Sequence, residues 1–262
     1  MTKCAAILLM IGIFASPAIA EDRDFCADRP GQATPPCTVE PGRVMVEAGL
    51  VDWTRTHDAS ARTDSFTLGD FLVRTGVTQS AEIQIGWAAL GFARTRDRAT
   101  GAQTHDRGTG DVTVALQKTL GAPDAPIAIR GFVTLPTGGG SLGAGDWGAG
   151  AMVPVAFNLS DNVELDLTPE IDAAVNASGD GRHLVYGSVF GLGLKLSDAW
   201  NLAVDAALFR DRDPSGVTTS ATMGASLAWM ANRNLQLDIG TVAGLNRDTP
   251  DIETYFGVVR RF

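Results

Sequence analysis

Histidine, serine, cysteine and closely spaced carboxylates are the residues of this 262-residue sequence that could do chemistry, and the first two are not arranged for it. Nucleophilic hydrolysis needs a hydroxyl within reach of a base that a third group orients. His57, His105 and His183 are widely separated, and no GxSxG stretch occurs. His183 and Ser188 lie five positions apart and so project from opposite faces of a strand. The run Thr137-Gly138-Gly139-Gly140-Ser141 has the glycines of a phosphate loop without its lysine or the helix that follows it. No histidine pair has metal-site spacing. The expectation is no catalytic centre, no metal and no cofactor.

The cysteines are read together with the N-terminus. Met1 to Ala20 has a basic Lys3, an apolar stretch from Ala5 to Ala15 and a small-residue ending, Ala18-Ile19-Ala20, before Glu21. That is the layout of a cleavable secretory signal, and the apolar run is short of the roughly 20 residues of a spanning helix. Cleavage after Ala20 removes Cys4 and leaves Cys26 and Cys37, an even pair in an exported chain, around ADRPGQATPP. A disulfide is expected. Closing so short a loop removes about 3 kcal/mol of unfolded-chain entropy. Metal binding would need more Cys or His nearby, and lipidation a cysteine directly after the signal.

The carboxylates have a period of two. In residues 163–175, Glu164, Asp166, Glu170 and Asp172 alternate with Val163, Leu165, Ile171 and Ala173, which on a strand puts acid on one face and hydrocarbon on the other. The pattern repeats to the last residue with no helix to cover the apolar faces, so lipid is expected to cover them. The elements required are twelve strands near 43–54, 64–76, 82–95, 109–120, 126–137, 146–158, 163–175, 183–196, 200–211, 217–229, 234–246 and 252–262. Short turns (78–80, 159–162, 197–199, 231–233) alternate with longer loops (54–64, 97–108, 138–145, 176–182, 211–216, 246–251), as in outer-membrane barrels. The fold class is all-β, a transmembrane antiparallel up-and-down β-barrel of about 12 strands, with both termini on the short-turn, periplasmic side. The division is a signal over 1–20, a periplasmic disulfide-bearing segment over 21–42, long enough to fold back as a partial plug, and the barrel over 43–262.

Outward faces are expected to carry Phe71, Val73, Ile83, Ile85, Val114, Ile129, Leu165, Phe190, Val204, Ile239 and Phe256. The lumen-lining set is Glu47, Asp70, Arg74, Glu82, Asp111, Arg130, Glu164, Asp166, Glu170, Asp172, Asp205, Asp238 and Glu253, with Gln84, Gln117, Lys195 and Arg261. Acids outnumber bases there, so a conducting path would favour cations or neutral solutes. The alternative is that the bases pair with the acids and stiffen a closed barrel. The net charge of −9 becomes −10 once Lys3 leaves, which excludes nucleic acid as a partner.

Cys26-Ala27-Asp28-Arg29-Pro30-Gly31 through Thr34-Pro35-Pro36-Cys37, Pro41-Gly42-Arg43, Gly110-Asp111-Val112, Leu135-Pro136-Thr137-Gly138 and Arg260-Arg261-Phe262 resemble the barrel family labelled MetA-pathway of phenol degradation, over essentially the whole mature chain. The resemblance implies a channel-like protein of the Gram-negative outer membrane that admits small aromatic or hydrophobic molecules, and it carries over no binding residues. Phe262, with Val258, Phe256 and Thr254 on its face, is similar to the signal read by outer-membrane assembly machinery, which makes that machinery and outer-membrane lipids the expected partners. A lipid-modifying enzyme and a structural barrel without transport are the rival readings.

Overall fold

The computed structural model describes residues 23–140 and 142–262. The signal expected over 1–20, with Cys4, lies outside the described residues. Every regular element among the described residues is a strand. The strands are β1 (Val44–His57), β2 (Ala61–Thr78), β3 (Ala81–Asp97), β4 (Gln103–Gly108), β5 (Val112–Thr119), β6 (Ala128–Leu135) and β7 (Gly148–Met152). The second half contains β8 (Val155–Ser160), β9 (Val163–Val175), β10 (Arg182–Lys195), β11 (Trp200–Asp213), β12 (Gly216–Asn232), β13 (Leu235–Gly244) and β14 (Ile252–Arg261).

These strands form a closed antiparallel barrel of twelve staves. β4 and β5 both pair with β3, and β7 and β8 both pair with β9, so each pair fills one stave. The single strands expected at 109–120 and 146–158 are therefore broken. Pro154 breaks the second, since it has no N–H to donate. The wall stays sealed because Val153 N–H donates to Pro169 O (3.0 Å) and the Pro154 carbonyl accepts from Ala128 N–H (2.9 Å). Closure comes from β1 against β14, from Met45 opposite Arg261 to Arg55 opposite Ile252.

The burial pattern is inverted relative to a water-soluble protein. Arg74, Glu82 and Gln117 are 0% exposed, whereas Ile85, Phe190 and Ile239 are about half exposed. A continuous apolar exterior around a charged interior is what a lipid-facing barrel requires. Trp200 stacks on Trp229 at 6.2 Å near the short-turn end, where Phe157 and Phe262 are also exposed. Trp53, Phe66, Phe92, Trp147 and Tyr186 lie toward the opposite end.

Two features depart from simple alternation. Where loops were expected at 54–64 and 97–108, β1, β2, β3 and β4 run on to tight turns. Both faces there are polar, so the alternation that marks a strand fades although backbone pairing continues; Thr63 and Thr95 still pair through their hydroxyls at 2.9 Å. The inward and outward faces also exchange near Leu50, Gly69 and Ala89. Leu50 and Val51 are both exposed at a bulge against β14, and Gly69 has φ +67°, a region an L side chain rarely adopts.

The seam is finished by the last residue: Phe262 N–H donates to Val44 O at 2.8 Å, and Val44 N–H donates back at 3.4 Å. Deleting Phe262 is expected to lower the fraction of heat-modifiable, folded barrel in membranes. An unchanged folded fraction on unheated gels would refute this role.

Candidate functional site

Residues 23–42 have too many prolines, glycines and charges to form a strand or helix, and their only covalent brace is the Cys26–Cys37 disulfide, Cα–Cα 6.2 Å. This segment lies inside the barrel at the short-turn end and touches inward residues on most staves. Val39 N–H donates to Glu82 (2.6 Å), Gln117 donates to the Cys37 carbonyl (2.8 Å), and Thr119 donates to that of Pro36 (2.8 Å). Across the lumen, Thr34 N–H donates to the Thr168 hydroxyl (3.1 Å), and Gln236 donates to Arg29 O (3.1 Å). The segment is a plug.

Charge holds it. Arg74 lies between Glu47 (3.1 Å), Glu82 (2.9 Å) and Asp28 of the plug (3.1 Å), and donates to Cys26 O at 2.7 Å. Arg130 grips both carboxylate oxygens of Asp28, at 2.8 and 3.0 Å, and donates to Gln117. Arg29 is paired with Asp238 at 2.8 Å and lies 5.2 Å from the centre of the Tyr255 ring. Arg261 reaches Glu40 at 2.9 Å and the Arg23 carbonyl at 2.8 Å. A buried charge is tolerated only when paired and hydrogen-bonded. The wall charges at this level and the plug charges supply each other. Gly257 makes room: a Cβ there would collide with the Arg29 guanidinium.

The expected lumen set thus divides by partner. Glu47, Arg74, Glu82, Arg130 and Asp238, with Gln84, Gln117 and Arg261, are buried around the plug. Asp205 is buried beside Gly31. Lys195 is at the rim, bridged to Asp198 at 3.0 Å. Asp70, Glu164, Asp166, Glu170, Asp172 and Glu253 stand on inward rows with no ion pair to a base among the described residues. Asp111 has a different job: its carboxylate accepts from Gly138 N–H and Ala144 N–H, both at 2.7 Å.

Those bonds fold the glycine-rich loop between β6 and β7 into the barrel. Val112 N–H donates to the Thr137 hydroxyl (2.9 Å), Thr109 pairs with Gly139, and Leu142 packs on Gly91. Gly108 must lack a side chain, because a Cβ would overlap the Gly139 carbonyl.

Between loop and plug lies a chamber. A cavity of about 220 Å³ is lined by Leu72, Phe132 and Met152 with Gln84, Thr113 and Arg130. A neighbour of about 280 Å³ shares Phe132 and adds Val185 and Asp172, and one of about 240 Å³ against the plug shares Leu72. These inward apolar residues escape a two-letter alternation. The available signal was the run AIRGFVTL of β6, which is apolar on both faces at Phe132 and Val133.

The family described as "Putative MetA-pathway of phenol degradation" matches residues 27–262, from the plug to the last residue. The chain belongs to this family. No curated protein matches the sequence. The COG4313 outer membrane channel from Pseudomonas putida F1 superposes with a TM-score of 0.67 at 15% identity, covering 89% of this chain and 99% of that one. The transport unit of the autotransporter AIDA-I from Escherichia coli gives 0.53 at 10% identity, over 83% and 89%. The CymD monoaromatic hydrocarbon channel gives 0.52 at 7%, over 86% and 89%. At these identities the likeness is one of fold. Within this phenol-degradation family member, Gly110-Asp111-Val112 and Leu135-Pro136-Thr137-Gly138, distant in sequence, meet as the anchor of the inward loop.

Arg74→Met leaves Glu47, Glu82 and Asp28 facing one another without their shared counter-charge, and should cost about 3–5 kcal/mol in unfolding free energy. Replacing both cysteines by serine should cost about 3 kcal/mol. Denaturant titration of the refolded protein in detergent measures both. A loss below about 1 kcal/mol for Arg74→Met, the level of a surface ion pair, would sink the account of the plug.

Proposed function

We propose that this protein is an outer-membrane channel for small, weakly polar molecules, single-ring aromatic compounds among them, with its strand termini in the periplasm and residues 23–42 closing the periplasmic end at rest. The observation that carries the proposal is the division of the lumen. Bases are neutralised at the plug, while the space above keeps an apolar chamber of Leu72, Phe132 and Met152 with a few hydrogen-bonding groups. Phe132 offers a ring face and Met152 a polarisable sulfur, and Gln84 and Thr113 offer partners to a hydroxyl. The name of CymD, a monoaromatic hydrocarbon channel, and the phenol label of the family support the same solute class.

The short turns at the plug end and the long hairpins at the other support that orientation. The acids without base partners support passage of cations and neutral solutes over anions. The enzyme reading has little to build on: His183 is held by Asn176 (3.1 Å), Asp211 (2.9 Å) and Asp213 (3.2 Å), while Ser188 is on the outward row.

Planar-bilayer recording in a salt gradient is the test. The intact protein is expected to show small, infrequent steps. Deleting residues 24–39 should give large steady ones, and Asp28→Asn with Arg29→Gln, which keeps the chain length, should raise opening frequency. Reversal potentials should be cation-selective, and phenol should reduce the current less in Phe132→Ala. Identical conductance with and without the plug, or anion selectivity, would overturn the proposal.

A further inference from the structure

The outward face of β1–β3 changes character at one height. On β3, Ile83, Ile85, Trp87, Leu90 and Phe92 face outward, and the next outward residues are Arg94 and Arg96. The nine steps from Ile83 to Phe92 span about 30 Å at ~3.3 Å per residue. At a tilt of about 40° this is about 23 Å of height, close to the ~25 Å apolar band of such barrels. Arg94 therefore stands at the edge of the hydrocarbon, on the wall's lipid-facing side.

The face exchange near Gly69 and Ala89 puts it there. Unbroken alternation from Arg74 and Glu82 would turn Asp64, Arg94 and Arg96 into the lumen. Instead Gly91 meets Leu142 of the inward loop, and Phe66 and Phe92 are about 40% exposed on the outside.

Two adjoining cavities open on this surface and share Asp64 and Arg94. The larger, about 720 Å³, is lined by Arg55, Arg62, Arg94, Arg96 and Arg98, with His57. Its carboxylates are Asp64, paired with Arg55 and Arg62 at 2.9 Å each, and Asp251, paired with His57 at 2.5 Å. Five arginines against two carboxylates leave three positive charges in surplus, in a chain whose net charge is −9. The smaller cavity, about 480 Å³, has Phe66 and Phe92 in its wall and Arg107 beside them. The guanidinium groups of Arg96 and Arg107 have no hydrogen-bond or ion-pair partner among the described residues.

We propose that this surface binds the phosphorylated glucosamine headgroup of lipopolysaccharide. Arg94, Arg96 and Arg107 take the phosphate oxygens, and an acyl chain lies along Phe66 and Phe92. Guanidinium suits phosphate because its planar fork donates two parallel hydrogen bonds. A cationic cluster directly above a lipid-facing aromatic pair matches an anionic headgroup on apolar chains and matches no soluble anion so well. The proposal rests on the orientation proposed above, which puts this level in the outer leaflet.

The test measures affinity of the refolded full chain for bisphosphorylated lipid A in zwitterionic detergent micelles. Monophosphorylated lipid A, phosphatidylglycerol and inorganic phosphate serve as comparison probes. Arg94→Gln/Arg96→Gln/Arg107→Gln should weaken bisphosphorylated lipid A on the order of a hundredfold. Arg212→Gln, on another part of the wall, should leave it unchanged. Heat-modifiable mobility checks that each variant is folded. Equal affinity for phosphatidylglycerol, tight binding of inorganic phosphate alone, or an unaffected triple variant would overturn the proposal. Ala99→Cys, in the turn after β3, separates the two readings. Labelling of intact cells by a membrane-impermeant maleimide supports the orientation whatever the lipid result, and labelling only after lysis overturns the orientation and the outer-leaflet site with it.

Discussion

A backbone N–H or carbonyl facing hydrocarbon has no water to pair with, and each one left alone costs several kcal/mol. That constraint makes the chain close on itself. The pairing of β1 with β14 leaves no edge, and where Pro154 cannot donate, the neighbouring carbonyls and amides re-form the wall around it. Once the wall is closed and its apolar side chains face lipid, alternation sends every second residue inward. The interior becomes the place where charge must be reconciled.

The plug is the reconciliation. A barrel of twelve staves lies between those of about 8 strands, which their own side chains fill, and those of about 16–18, which hold an aqueous channel. Here the missing core is supplied by a proline-rich strand-less segment. Arg74 has three carboxylates around it, one of them from the plug, and Asp28 has two guanidinium groups. The wall bases Arg74 and Arg130 are paired at the plug, whereas Asp70, Glu164, Asp166, Glu170, Asp172 and Glu253 have no ion pair to a base among the described residues. Asp111 shows that an inward acid can serve instead to hold a loop, by accepting two backbone N–H groups.

Much of the wall was legible in the sequence because hydrocarbon outside and polar groups inside force a period of two. β9 begins and ends at the expected residues, Val163 and Val175. What alternation could not give is anything that breaks it. The face exchange at Gly69 depends on a single positive φ, and the hairpin extensions past Thr54 and Arg94 are polar on both sides, so neither leaves a two-letter trace. The chamber escapes alternation for the opposite reason, since Phe132 and Met152 are apolar residues facing inward. The plug did leave one. The inward charges Glu47, Arg74, Glu82, Arg130 and Arg261 all fall within a few residues of the short-turn ends of their strands, and a ring of buried charge at one level requires something to answer it.

The plug's contacts also impose an order in time. Its partners on β1 to β3 lie close in sequence, but Arg29 meets Asp238 across 209 positions, and Arg261 reaches Arg23 across 238. The plug segment therefore has some partners that come together only after the last strand has joined the first. Contacts of such sequence separation form late. Those two contacts are complete only in a closed ring, so together they are a chemical record that the barrel has closed.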